Sequence, residues 1–281
     1  MNPLLILASA VVGTALGMTG VGAGALMTPL LVLVFGVSPS TAISADLLAT
    51  VAMRPVGALM HWRRGRVRRD IVRDLSLGSV PGAFLGTAAM HTITHAQHAE
   101  AVLSHALGVA LVLGALAMTL RLWRTPRPDR SVTRARGLVV GLGAAGGFMV
   151  GLTSVGAGSL IMVLLATLYP GLSSAELVGT DLAQSIPLAV SASLGTLLFA
   201  HVDWTIAGAV ILGGTPGVWL GSRLSERVDA PALRHVVIGF IGLSGLKYLG
   251  LAADPLLVLA GVGAVLYAAT ALWRRGHLLA R

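Results

Sequence analysis

The chain has 281 residues, 55% of them apolar and only 11% charged, with a mean hydropathy of +0.85; such a composition cannot surface a water-soluble globule. A net charge of +9 and a pI near 11.4 invite a nucleic-acid reading, but the arginines lie between apolar stretches, where they set orientation in a membrane, and no nucleic acid is expected as a partner. The absence of cysteine excludes disulfides, thiolate metal sites and a cysteine nucleophile.

Apolar stretches run over 4–37, 40–61, 75–91, 101–122, 137–170, 175–200, 205–223, 235–252 and 255–273, giving an all-α polytopic protein of about eight or nine segments at the ~20 residues a bilayer crossing needs. The Met-Asn-Pro start carries no basic n-region, so the first stretch is expected to remain in the mature protein rather than be cleaved as a signal. The first and fifth stretches exceed thirty residues, roughly 50 Å of continuous helix, and each has a glycine-rich octet at its centre. These octets, Gly17-Met-Thr-Gly-Val-Gly-Ala-Gly24 and Gly151-Leu-Thr-Ser-Val-Gly-Ala-Gly158, are identical at six of eight positions and lie 134 residues apart.

The repetition continues in Ser44-Ala-Asp46-Leu47 against Gly179-Thr-Asp181-Leu182, and in Pro81-Gly82 to Gly86 against Pro216-Gly217 to Gly221. The chain is therefore read as two copies of one unit: a first repeat over 1–123, a basic cytoplasmic linker over 124–136, a second repeat over 137–252, and an extra helix with a basic tail over 253–281. Glycine costs a helix about 1 kcal/mol per residue relative to alanine, so each octet predicts a break.

Arginine supplies the orientation. Arg63, Arg64, Arg66, Arg68, Arg69 and Arg73 fill one loop, and Arg124, Arg127, Arg130, Arg134 and Arg136 another; both are expected in the cytoplasm, whereas His201-Val-Asp-Trp204 carries no Lys or Arg and is expected outside. If each octet-bearing stretch crosses once, the halves are parallel and this pattern is violated. If each dips in and returns as two half-helices, every basic loop lies inside and the halves are inverted, which is the favoured arrangement.

Backbone that leaves the helix inside a bilayer is tolerated only where protein or a watery cavity covers it. A half-helix ending there aims free N–H groups and a partial positive charge at the midplane, a setting for an anion; glycine-interrupted spans at matching places in two halves point to a transporter's binding site. The alternative is close packing of small residues between helices. The candidate substrate-binding residues are Thr19, Gly20, Gly22, Gly24, Thr153, Ser154, Gly156 and Gly158, with Arg54, an arginine well inside an apolar span, as charge partner or else as a snorkelling side chain. Asp46 and Asp181 are candidate coupling groups, or N-caps of their helices. Thr50, Gln184 and Ser185 are secondary candidates, Pro55 and Pro187 predict kinks, and His91, His95, His98 and His105 read as a histidine-bearing outer segment rather than a metal site. No catalytic residue, metal or cofactor is expected.

The chain resembles the sulfite exporter TauE/SafE family of bacterial membrane permeases. The resemblance rests on the first octet followed by Pro29, on Ala45-Asp46-Leu47-Leu48 leading to Arg54, on His61-Trp-Arg-Arg-Gly65-Arg-Val67, on the second octet, on Gly179-Thr180-Asp181-Leu182 and on His201-Val-Asp203-Trp204. It implies a multi-pass inner-membrane carrier of small sulfur-containing or carboxylate anions such as sulfite or organosulfonates. Two departures stand out: Arg54 occupies a place where lysine is expected, which keeps the charge, and Arg68-Arg69 replaces the Asp-Trp expected after Gly-x-Val, so Asp203-Trp204 has no counterpart. The expected partners are a small anion and the lipid bilayer, with a homo-oligomer left open. A membrane-embedded enzyme using the paired aspartates, or a scaffold, are the competing readings.

Overall fold

A computed structural model of the protein describes residues 2–20, 24–63, 65, 67–94, 99–123, 136–155, 161, 165, 168–169, 171–225 and 231–251. Among them, regular structure is helical throughout: α1 Pro3–Thr19, α2 Gly24–Leu33, α3 Pro39–Arg63, α4 Arg69–Thr94, α5 Ala99–Trp123, α6 Arg136–Thr153, α7 Ser174–Phe199, α8 Trp204–Leu224 and α9 Pro231–Tyr248. Five of these are long and apolar enough to cross a membrane: α3, α5, α6, α7 and α8. The protein is an all-α, multi-pass membrane protein. Helix α4 starts six residues earlier than hydropathy predicts because its first turns carry Arg69, Asp70, Arg73 and Asp74, polar enough for a membrane surface. The expected last stretch, 255–273, falls outside the described residues.

Both long stretches are interrupted, and at equivalent positions. Helix α1 ends at Thr19 with Gly20 in the left-handed region at φ 69°, and α6 ends at Thr153 with Ser154 there too, at φ 61°. Glycine adopts that conformation without penalty, whereas serine pays about 1 kcal/mol. After the first break the chain turns back. Gly214 of α8 has Gly13 of α1 on one side and Met27 of α2 near it on the other, which sets α2 alongside the helix it has just left.

The two repeats exchange partners. Helix α1 of the first repeat packs on α8 of the second, and α6 of the second packs on α4 of the first. Each contact is made by glycines one turn apart. Gly13 and Gly17 meet Gly214 and Gly221, while Gly78, Gly82 and Gly86 meet Val140, Ala144 and Phe148, and Gly143, Gly147 and Gly151 return the contact on Leu75, Ser79 and Ala83. Residue numbers rise together in both pairs, so each pair is parallel. Without side chains the backbones approach until a Cβ would overlap the facing main chain, and that intimacy replaces the hydrophobic drive lipid cannot supply.

Equivalent helices run the other way. Ser193 Oγ of α7 donates to the Leu47 carbonyl of α3 at 2.8 Å, while Gly57 of α3 faces Leu182 of α7, so α3 and its repeat image α7 are antiparallel. Helices α5 and α9, also images of each other, are antiparallel as well: Gly108 lies against Gly245 and Tyr248, Ala115 against Gly242. Both N-caps of the antiparallel pair α3 and α7 are serines. Ser38 Oγ accepts from the Thr41 N–H at 3.3 Å, and Ser173 forms a full capping box with Glu176.

Candidate functional site

The α3/α7 crossing organises the site. The facing pairs Leu47 with Ser193 and Gly57 with Leu182 centre it on Met53 of α3 and on Leu188, its repeat equivalent. Arg54 stands one residue from that centre. Asp46 and Asp181 each lie seven residues from it, on opposite sides, about 10 Å along the axis at the α-helical rise. The N-cap alternative for the two aspartates does not hold, because the caps are Ser38 and Ser173 and both carboxylates sit well inside their helices.

All three charged side chains are inside the protein: Asp46 and Asp181 are 0% exposed and Arg54 8%. The Arg54 guanidinium lies between the levels of the two carboxylates, close enough for its charge to bear on both. Arg54 therefore does not snorkel to the surface, and the position equivalent to it in the second repeat is Ala189, 1% exposed and uncharged. Neither Arg54 Nε nor Asp46 Oδ1 has a hydrogen-bond partner among the described residues, whereas buried polar atoms are ordinarily paired. A ligand oxygen or a proton donor is what such atoms lack.

The glycine-rich breaks converge on this cluster. Ser154 Oγ donates to Asp46 Oδ2, tying the break of the second repeat to α3 of the first. Gly24, the last glycine of the first octet, lies so close to the Ser154 main chain that a Cβ there would overlap it. On the other side, a Cβ at Gly20 would come into contact with Val178, one turn before Asp181. Each aspartate thus stands beside the interruption in the opposite repeat.

The threonines predicted as donors are engaged locally. Thr19 Oγ1 donates to the Ala15 carbonyl and Thr153 Oγ1 to the Met149 carbonyl, both at 2.7 Å and four residues back. Gly22, Gly156 and Gly158 lie outside the described residues. Thr50 donates to the Asp46 carbonyl at 2.7 Å and Ser185 to the Leu182 carbonyl at 2.7 Å, both buried one turn from the centre. Gln184, fully buried, donates to Ser79 Oγ at 2.6 Å while its own Oε1 is left without a partner among the described residues. Thr28 of α2 is buried beside Asp46 without hydrogen-bonding geometry. Ser79 and Thr28 carry no sequence signal of their own; only their repeat neighbours in space give them meaning.

Of the outer histidines, His91 packs against Phe199 with ring centroids 6.1 Å apart and His105 Nδ1 lies 2.7 Å from the Ala101 carbonyl; His95 and His98 fall outside the described residues. Asp203 is the N-cap of α8, accepting from the Thr205 and Ile206 N–H groups.

Ser154 yields a test in which alanine is worse than glycine. Ser154→Gly relieves the left-handed backbone but deletes the bond to Asp46, effects of about 1 kcal/mol and roughly 1.5–3 kcal/mol in opposite directions. Ser154→Ala keeps the strain and loses the bond. Thermal unfolding in detergent is expected to rank wild type first, Gly next and Ala last, with about 1 kcal/mol between the two variants; Ala matching or exceeding Gly overturns the conformation described for this residue.

A family model for the sulfite exporter TauE/SafE matches residues 5–248. Among curated proteins the chain is similar to the probable membrane transporter protein YjnA of Bacillus subtilis, at 37% identity over 88% of this chain and 99% of that one. It is also similar to YdhB of the same organism, at 25% over 88% and 99%, and to a probable membrane transporter protein of Xylella fastidiosa, at 29% over 83% and 87%. No solved structure matches the chain.

Proposed function

Because the chain belongs to the sulfite exporter TauE/SafE family of membrane transporters, we propose that it is a secondary carrier of a small sulfur-containing or carboxylate anion, with Arg54 as the fixed positive charge that receives it. The observation that carries this reading is a guanidinium buried at the centre of the α3/α7 crossing, with an unpartnered Nε, between two helix interruptions. Ionisable groups at such depth are costly and are kept for function. Backbone N–H groups released at the breaks add further donors for an oxyanion, with Gly20, Gly22, Gly24, Ser154, Gly156 and Gly158 as the lining and the threonine oxygens of Thr19 and Thr153 beside it.

The antiparallel course of equivalent helices supports halves inverted in the membrane, each opened by a re-entrant hairpin. On that topology Arg68, Arg69, Arg73 and Arg136 gather at one end of the bundle, where Arg136 Nε reaches Asp74 at 3.0 Å, in keeping with a cytoplasmic face. Asp46 then lies in the outer half and Asp181 in the inner half. A reporter fused after Asp203 is expected to be extracellular and one after Gly65 cytoplasmic; the same side for both refutes inversion.

The paired-aspartate enzyme is disfavoured by geometry, since fourteen helical residues, or about 20 Å of rise, separate the two positions across the crossing, whereas acid and base must converge on one bond. A thermal-shift screen of purified protein against sulfite, thiosulfate, short sulfonates and carboxylates selects the ligand, and flux of the labelled hit in reconstituted vesicles tests carriage. Saturable flux absent from protein-free vesicles is expected. Binding with no flux in either direction refutes the carrier reading.

A further inference from the structure

Duplication has left two aspartates and one arginine. We propose that Arg54 is a switching charge that pairs with Asp181 in one access state and with Asp46 in the other, each pairing closing the half of the molecule in which it forms. This rests on the carrier reading above and goes beyond it, since it assigns the carboxylates to the gates and the guanidinium to the exchange.

Four observations meet here. Arg54 stands one residue from the centre of the α3/α7 crossing, with Asp46 about 12 Å along the axis to one side and Asp181 about 9 Å to the other, so its side chain has a destination in each direction. The position that would have given the second repeat its own cation is Ala189, so one guanidinium must serve both. In the present conformation Asp46 Oδ2 is held by Ser154, and by position along the crossing Arg54 stands nearer the level of Asp181 than that of Asp46. Arg54 Nε has no hydrogen-bond partner among the described residues, so the guanidinium is not locked in a complete fork, the arrangement that would hold it in place.

Both helices are weakened where the exchange occurs. Pro55 and Pro187 lie inside α3 and α7, two residues or fewer from the crossing centre, and each removes a ladder hydrogen bond at that level. Two weakened helices crossing at their weakest turns form a hinge around Arg54. In each state one carboxylate loses the guanidinium and is served by the break of the opposite repeat, as Asp46 is now by Ser154. A bound anion would take up guanidinium donors that neither carboxylate holds.

The absence of cysteine makes the test direct. Single cysteines replace Thr50 or Ser185, equivalent buried positions flanking Arg54, in the full-length chain in oriented membrane vesicles. A membrane-impermeant thiol reagent is then applied from each face with no anion added. Asp181→Asn leaves Asp46 as the remaining partner and Asp46→Asn does the reverse, so the two variants are expected to shift the ratio of outer to inner labelling in opposite directions, by about fivefold or more. Asp181→Ser and Asp46→Ser repeat the comparison should an asparagine variant fold poorly, and Arg54→Gln is expected to abolish the difference. Shifts in the same direction, or a ratio that stays constant across all variants, including no labelling in any, overturn the proposal. The readout uses no transported anion, so flux could fail while the labelling shifts persist, or the reverse.

Discussion

Arg54→Gln is expected to carry anion at less than about one hundredth of the wild-type rate while still inserting in the membrane. Removing one partner of a buried charged cluster costs roughly 3–5 kcal/mol, and about 2.7 kcal/mol already amounts to a hundredfold in a binding constant. Glutamine keeps part of the length and hydrogen-bonding capacity of the side chain but gives neither the anion nor the carboxylates of Asp46 and Asp181 a compensating charge. Arg54→Lys preserves the charge and loses the planar fork, so it is expected to recover part of the flux with weaker apparent affinity. Flux in vesicles at matched protein density, alongside the elution profile in detergent, checks both. Full activity in the glutamine variant removes Arg54 from the site.

Gly24→Ala is the second large effect. The added methyl would overlap the Ser154 carbonyl, its carbonyl carbon and Oγ, and the carbonyl belongs to a backbone already held in a left-handed turn, with little room to yield. Overpacking of this kind costs about 1–3 kcal/mol, and with both partners main chain the upper end applies, equivalent to a loss of roughly 5–10 °C in Tm. Flux is expected to fall as well, because pushing Ser154 away strips Asp46 of its hydroxyl donor. The control is Gly141→Ala: nothing lies within 4 Å of a Cβ at that helical position, so the substitution is expected to be neutral or slightly stabilising through helix propensity. Equal melting temperatures for the two variants would mean that the breaks do not touch.

Much of this architecture is legible in the sequence because a duplication repeats its signals. Hydropathy places α3, α5, α7 and α8 within a few residues, and the octets locate both interruptions, since glycine clusters inside overlong apolar stretches have few other uses in lipid. Asp46, Asp181 and Arg54 stand out because charge is expensive at depth. What sequence does not carry is which surfaces meet. Glycines one turn apart on α1, α4, α6 and α8 announce four close-packing faces, yet nothing in their spacing says that α1 pairs with α8 and α6 with α4 across the repeats. The serine in place of the glycine at position 154 reads as an extra hydroxyl; that it also adopts the glycine's conformation, and so reaches Asp46, follows only from the path of the chain. The Gln184 to Ser79 bond joins positions 105 residues apart and has no counterpart in Ala49 and Gly214.

The exchange of partners between repeats also constrains how the protein is made. The tight seat for α1 is on α8, which lies beyond α7 in the chain, so the first helix to be synthesised must wait in the lipid for a partner still to be translated, roughly 10–40 s at ordinary elongation rates. Until then its row of glycines is an adhesive strip available to any passing neighbour. A severed first half leaves the ribosome lacking the surface that would shield that strip, so two separately expressed halves should survive only when produced together.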